Sequence, residues 1–113
     1  MQHWDLRTIP APAGTRDPSV LHTADGARAV LVRLDPGQEL GEHEVKERAW
    51  LFVVEGSVVI ESDDGRVEAG AGALATFEPQ ERHAVRSPEG ARILLLLAPW
   101  PGEGHYRGGD EPR

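Results

Sequence analysis

GEHEVKERAWLFVVEG, residues 41–56, holds the choice of fold. A histidine and several carboxylates come first, then the apolar run RAWLFVV (48–54), then Glu55-Gly56. The run is shorter than a buried helix, rich in β-branched and aromatic residues and closed by a glycine, which reads as a strand. On a strand, alternate residues share a face. Ala49, Leu51 and Val53 therefore form one face, and Trp50 and Phe52 the other. The polar residues before the run admit two readings: a metal site at the mouth of a barrel, or the polar edge of a sheet.

Outward from this stretch the same texture repeats. Ser19–His22, Arg28–Leu34, Leu40–Val45, Arg48–Val54, Ser57–Ser62, Arg66–Ala69, Ala73–Glu78, Arg82–Ser87 and Ala91–Leu97 each read as short strands. Turn pairs separate them: Asp25-Gly26, Pro36-Gly37, Glu55-Gly56 and Asp64-Gly65, the last a strong hairpin signal. No helical period persists for three turns. The prediction is an all-β barrel or sandwich of about eight to ten short antiparallel strands, with little or no helix. Pro10, Pro12, Gly14 and Pro18 break up residues 1–18, which are expected to be irregular and to pack on the barrel or on a partner subunit. Residues 19–98 form the barrel, and 99–113 a Pro/Gly-rich tail started by Trp100.

Composition narrows the classes. A chain of 113 residues is one domain. Its net charge of −7 argues against a phosphate backbone as partner, so no nucleic acid is expected. The longest apolar run, Ile93–Ala98, is far too short to span a bilayer, so no membrane association is expected. No secretory signal pattern opens the chain. The absence of cysteine excludes disulfides and thiolate sites and is compatible with a reducing cytoplasm.

Of the five histidines, His43 and His83 sit at strands with matching glycine contexts. Gly37, His43 and Gly56 stand at the spacing of G-x5-H-x-H-x3-E-x6-G. Gly72 and His83 stand at the spacing of G-x5-P-x-G-x2-H-x3-N. On these residues the chain resembles a small, single-domain bacterial cupin of the RmlC-like jelly-roll type, across roughly residues 28–98. The first metal motif is degenerate. Val45 replaces the second histidine and Ala49 the glutamate. In the second motif Glu78, Gln80 and Ser87 replace the proline, glycine and asparagine.

The resemblance implies a metal bound by three histidines and a glutamate, of which His43 and His83 survive. Two imidazoles hold a divalent ion poorly, and a two-His-one-carboxylate set is the smallest recurrent alternative. Glu47 shares the parity of His43 and is the candidate third ligand. The expected cofactor is none, or one divalent transition metal. Parity gives a ligand pocket of His43, Val45, Ala49, Leu51, Leu74, Thr76, His83 and Val85, with Glu78 also inward, and no catalytic residue is assigned. Arg48, Arg82 and Arg86 are either ligand-guiding or paired with surface carboxylates. Three functions stay open: a small-molecule-binding barrel with a reduced two-histidine site, a metal-dependent dioxygenase or isomerase using His43, His83 and a substitute carboxylate, and a metal-free acid/base enzyme. Trp50 and Phe52 need cover, and the resemblance implies a homodimer through their sheet.

Overall fold

The computed structural model describes residues 1–43 and 46–101, with the backbone alone for 14–17 and 41–43. Eight strands follow in order: β1 Gly14–Ala24, β2 Ala27–Leu34, β3 Glu39–His43, β4 Arg48–Ser62, β5 Gly65–Gly70, β6 Leu74–Phe77, β7 His83–Arg86 and β8 Ala91–Ala98. All pairings between them are antiparallel. One sheet runs β1-β2-β8-β4-β6 and the other β3-β7-β4-β5. This is the all-β architecture expected from the turn spacing, in the jelly-roll form that the resemblance implied.

The two sheets share β4, whose halves belong to different layers. The fourth and fifth expected strands are thus one continuous strand, not a hairpin. Glu55-Gly56 is a bulge rather than a turn, with a register shift between Val53 and Glu55 against β8. The extra residue exchanges the two faces. Buried positions are odd before the bulge (Ala49, Leu51, Val53) and include the even Val58 and Ile60 after it. Gly56 has φ +81°, a conformation only glycine adopts without strain.

The core lies between the sheets, where Val32, Leu34, Leu51, Val53, Val58, Val85 and Ile93 are almost fully buried. Each such aliphatic side chain contributes about 1.5–3 kcal/mol by leaving water. The first strand begins at Gly14, earlier than the expected Ser19, because its bulged pairing with β2 tolerates Pro18 at a sheet edge. Ahead of it, the Arg92 guanidinium donates to the carbonyls of Leu6 (3.0 Å) and Ile9 (2.8 Å), tying residues 6–9 to β8. At the other end, the Trp100 amide donates to Gly26 O (2.6 Å), and the Arg28 guanidinium lies 4.1 Å from the Trp100 ring centre. The rest of the tail, from residue 102, lies outside the described residues.

Two substituted motif positions have clear structural consequences. Ser87, fully buried, stands at the asparagine position. Its hydroxyl donates to Ser57 O (2.6 Å), and its backbone exchanges bonds with Gly37 and Gln38. It therefore knits β4 and the turn before β3 to the end of β7. Gln80 stands at a glycine position and has φ +67°. A left-handed backbone costs an L-residue about 1–2 kcal/mol, of which glycine's extra chain entropy returns about 0.5–1 kcal/mol. Gln80→Gly should therefore stabilise the domain by about 0.5–1 kcal/mol, read as a higher urea midpoint at unchanged slope. A lower midpoint would show that the glutamine side chain makes compensating contacts.

Candidate functional site

The site is built on β7 and its neighbours. His83 opens β7 and is 5% exposed. Its Nδ1 lies 3.1 Å from the Glu81 carbonyl oxygen. A carbonyl can only accept, so Nδ1 carries a proton and donates to it. Metal-binding and proton-moving histidines are commonly oriented this way. The Phe77 ring stacks on the imidazole, with centroids 4.0 Å apart and planes 8° from parallel. Phe77 is itself buried and pairs with Ala49 across β6 and β4.

His43 ends β3 in direct cross-strand register with His83. A bulge between Leu40 and His43 produces this. Leu40 is opposite Val85, and three residues of β3 then span two of β7. The histidines are far apart in sequence and are adjacent partners in the sheet. Val45 and Glu44 lie outside the described residues, so the expected place of Val45 in the pocket does too.

The third candidate ligand, Glu47, is 1% exposed. Burial along 46–53 alternates strictly, with Glu47, Ala49, Leu51 and Val53 inside. Glu47 thus continues the inner face of β4 instead of turning out with the loop. A carboxylate buried to this extent requires a donor, a cation or a proton beside it. Among the described residues, no group of three His, Cys, Asp or Glu stands close enough to hold a metal ion. The side chains of Glu42 and His43, and the whole of Glu44, lie outside the described residues.

Ala49, Leu51 and Val85 lie on the inner face, buried. Leu74 and Thr76 do not. Leu74 is 63% exposed and Thr76 is exposed as well. The register explains the correction. Leu51 pairs with Ala75 and Ala49 with Phe77, so the inner residues of β6 are odd, whereas Phe52 pairs with Leu74 and Trp50 with Thr76 outside. Placing Glu78 inward as the motif proline shifted β6 by one residue, which reverses every side chain on it. Glu78 is exposed and bonds Arg48 (2.7 Å), holding the Arg48 guanidinium above its ordinary pKa through that bond. Arg86 faces Glu61 at 3.7 Å. For these two arginines the surface-pair reading holds, and such pairs contribute little.

Sequence reasoning missed Phe77, the closest aromatic neighbour of His83. The stretch Ala73-Leu74-Ala75-Thr76-Phe77 held no local signal for it, since Leu74 and Phe77 are both large and apolar and only the pairing with β4 chooses between them. A hollow of about 230 Å³ is lined by Leu51, Val53, Ile60, Ala69, Ala73 and Ala75 together with the exposed Leu74; of these, sequence reasoning placed Leu51 and Leu74 in the pocket and missed the β5 and alanine contributions.

Known proteins agree with this architecture. A family model described as "Cupin domain" matches residues 30–98. The chain is similar in structure to a cupin superfamily protein from Desulfitobacterium hafniense, at 17% identity and TM-score 0.73, covering 82% of this chain and 85% of that one. It is similar to an RmlC-like cupin protein from Desulfovibrio desulfuricans, at 22% identity and TM-score 0.74, covering 88% and 96%. A third, from Klebsiella pneumoniae, is an uncharacterized conserved protein with a double-stranded β-helix domain, at 18% identity and TM-score 0.76, covering 90% and 93%. At these identities the likeness concerns the fold. No curated protein matches the chain.

Proposed function

This chain belongs to the cupin family, and on that premise we propose that it is a small-molecule-binding barrel whose site centres on His43 and His83. The observation that carries the reading is the β3–β7 register, which sets the two histidines opposite each other with His83 buried and its Nδ1 committed. Cross-strand neighbours carry their β-carbons about 4.5–5.5 Å apart, a spacing from which two imidazoles can grip one ligand. His83 Nε2 serves as the acceptor or, protonated, the donor toward that ligand. Apolar Ala49, Leu51 and Val85 exclude water behind it.

A second reading is favoured by the burial of Glu47 on the same inner face. With His43 and His83 it would complete a two-histidine, one-carboxylate donor set, the arrangement suited to a divalent transition metal. Val45 and Ala49 bring no donor. Such a metal, when bound, would supply Lewis-acid or redox chemistry of the dioxygenase or isomerase kind. Glu47 and the histidines would then hold it, while Phe77 fixes the His83 ring.

Elemental analysis of protein purified without a nickel column separates the two. The binding-barrel reading expects substoichiometric metal and a ligand response, by NMR or calorimetry, that His83→Ala reduces at least tenfold. Stoichiometric iron, manganese, nickel or zinc, lost in His43→Ala, His83→Ala and Glu47→Gln, would replace it with the metal-enzyme reading. Neither metal nor any His83-dependent ligand response would sink both.

We further propose a cytoplasmic homodimer formed through the outer face of the β1-β2-β8-β4-β6 sheet. Trp50 and Phe52 are half-buried there, flanked by Leu74 and by Leu96, which is 41% exposed. A contiguous apolar face of this kind is uncommon on monomers. Trp50→Asp is expected to halve the mass in sedimentation equilibrium, and an unchanged mass would rule out this interface. No helix among the described residues is long and apolar enough to cross a membrane.

A further inference from the structure

We infer that the ligand of this barrel is a small apolar ring or short branched chain bearing one uncharged polar group, and that it enters sideways, between β5 and β6. The inference rests on the proposed small-molecule site at His83 and adds the ligand class and route.

The route follows from how β4 is used. Strand β5 pairs only with residues 57–62 of β4, and β6 only with residues 49–52. The two β4 segments lie on either side of the Gly56 bulge and in different sheets, so their partners diverge. At the narrow end β5 and β6 are joined by a tight turn, where Ala73 N donates to Gly70 O (3.0 Å) and Gly72 N donates to Val53 O (2.8 Å). Beyond that turn no pairing joins β5 to β6 among the described residues. The barrel wall is open there as a wedge.

The lining of the wedge suits an apolar guest. Leu51, Val53 and Ile60 of β4, Val67, Glu68 and Ala69 of β5, and Ala73, Leu74 and Ala75 on the β6 side line it, with Glu68 the one charged group among them. A second hollow, of about 240 Å³, shares Ile60, Val67 and Ala75 with the first and continues to Phe77, whose ring lies on His83. The two hollows adjoin through these shared residues and reach Phe77, while His83 itself lines a neighbouring hollow together with Ser62. Alanine is depleted in strands because it packs poorly across a sheet. Here three alanines occupy consecutive inner positions around one turn, 69, 73 and 75, and are only partly buried. They leave room that valine or leucine would fill. Exposed Val67 and Leu74 supply apolar side chains beside the opening.

Size and polarity narrow the class. Each hollow is smaller than the roughly 300–1,000 Å³ of sites for drug-sized molecules, so the guest is a single ring or a short branched chain. At the wide end, Ser62, Asp64, Arg66 and Glu81 line the hollow with Phe77. Both signs of charge meet there, which favours a neutral hydroxyl or carbonyl over an ionised group. Ser62 pairs directly with His83 across β4 and β7 and lines both the hollow at Phe77 and the one at His83, which brings the polar end of the guest next to the imidazole.

Titration of 15N-labelled protein with p-cresol, with cyclohexanone as a second probe and glucose as a polar control, tests this. The expected result is saturable shifts at Val67, Ala69, Ala73, Ala75 and His83 with p-cresol or cyclohexanone and none with glucose. Ala75→Phe, filling the wedge, should weaken binding at least tenfold. Ala69→Leu, on the opposite wall, should do the same and serves where Ala75→Phe fails to fold by circular dichroism. Absence of shifts up to millimolar probe, equal shifts with glucose, or binding indifferent to both wall variants would overturn the wedge. His83-dependent binding that ignores the wall variants would overturn the route alone. Wall-dependent binding that ignores His83→Ala would support the wedge and count against the histidine site.

Discussion

Gly56→Ala is expected to destabilise the domain by about 4 kcal/mol or more, at the extreme end of single substitutions. Two effects act together. At φ +81° an L-residue is strained by about 1–2 kcal/mol. The added methyl would also run into the Gly90 carbonyl oxygen, with Ala91 Cα at 2.9 Å and Gly90 C at 3.0 Å. These are backbone atoms of the turn into β8 and cannot swing aside as a side chain would. Relief would separate β4 from β8 at the Gly56–Ala91 pair, next to the bulge that carries the chain between sheets. Against a total stability of about 5–15 kcal/mol, the variant should show a sharply lower urea midpoint or fail to accumulate. A loss under about 1 kcal/mol would show that the bulge relaxes freely. The glycine that closes the first motif is thus explained by backbone crowding, independently of any ligand.

Phe77→Ala should cost about 3–5 kcal/mol, the range for truncating a buried aromatic. The ring is 3% exposed, packs in the core cluster and stacks on His83 at 4.0 Å. Removing it leaves a cavity and takes away the stacking partner of an imidazole whose Nδ1 stays bonded to the Glu81 carbonyl. Phe77→Leu, which keeps most of the volume, should cost less than half as much while still removing the stack. The pair of variants separates packing from ring orientation. In both, the His83 ring protons should lose the upfield displacement that a stacked aromatic imposes, observable by NMR. Unaltered His83 resonances in Phe77→Leu would mean the stack does not set the imidazole.

Much of the architecture was legible in the chain itself. Short β-rich runs between glycine and proline turns indicate an all-β barrel or sandwich, which the resemblance narrowed to a jelly roll. The faces of Ala49, Leu51 and Val53 follow from period-two alternation, because that strand runs regularly up to its bulge. The spacing of His43 and His83 from their glycines carried the family resemblance. The orientation of β6 was not legible. Leu74 and Phe77 are both large and apolar, and composition does not say which is inside. Pairing with β4 decides it, placing Phe77 opposite buried Ala49 and Leu74 opposite half-buried Phe52.

By itself, then, the sequence determined the strand content, the turn positions other than Glu55-Gly56, and the identity of the two histidines. These depend on local periodicity and local backbone preference, which a few neighbouring residues suffice to express. Only the tertiary structure decided that His43 stands opposite His83, that Glu47 continues the buried face, that Leu74 and Thr76 point away and that β5 and β6 part. Each depends on register between distant segments. One bulged residue or one step of pairing exchanges the faces of a strand, and that step is chosen by the neighbouring strand, not by the residues that are turned.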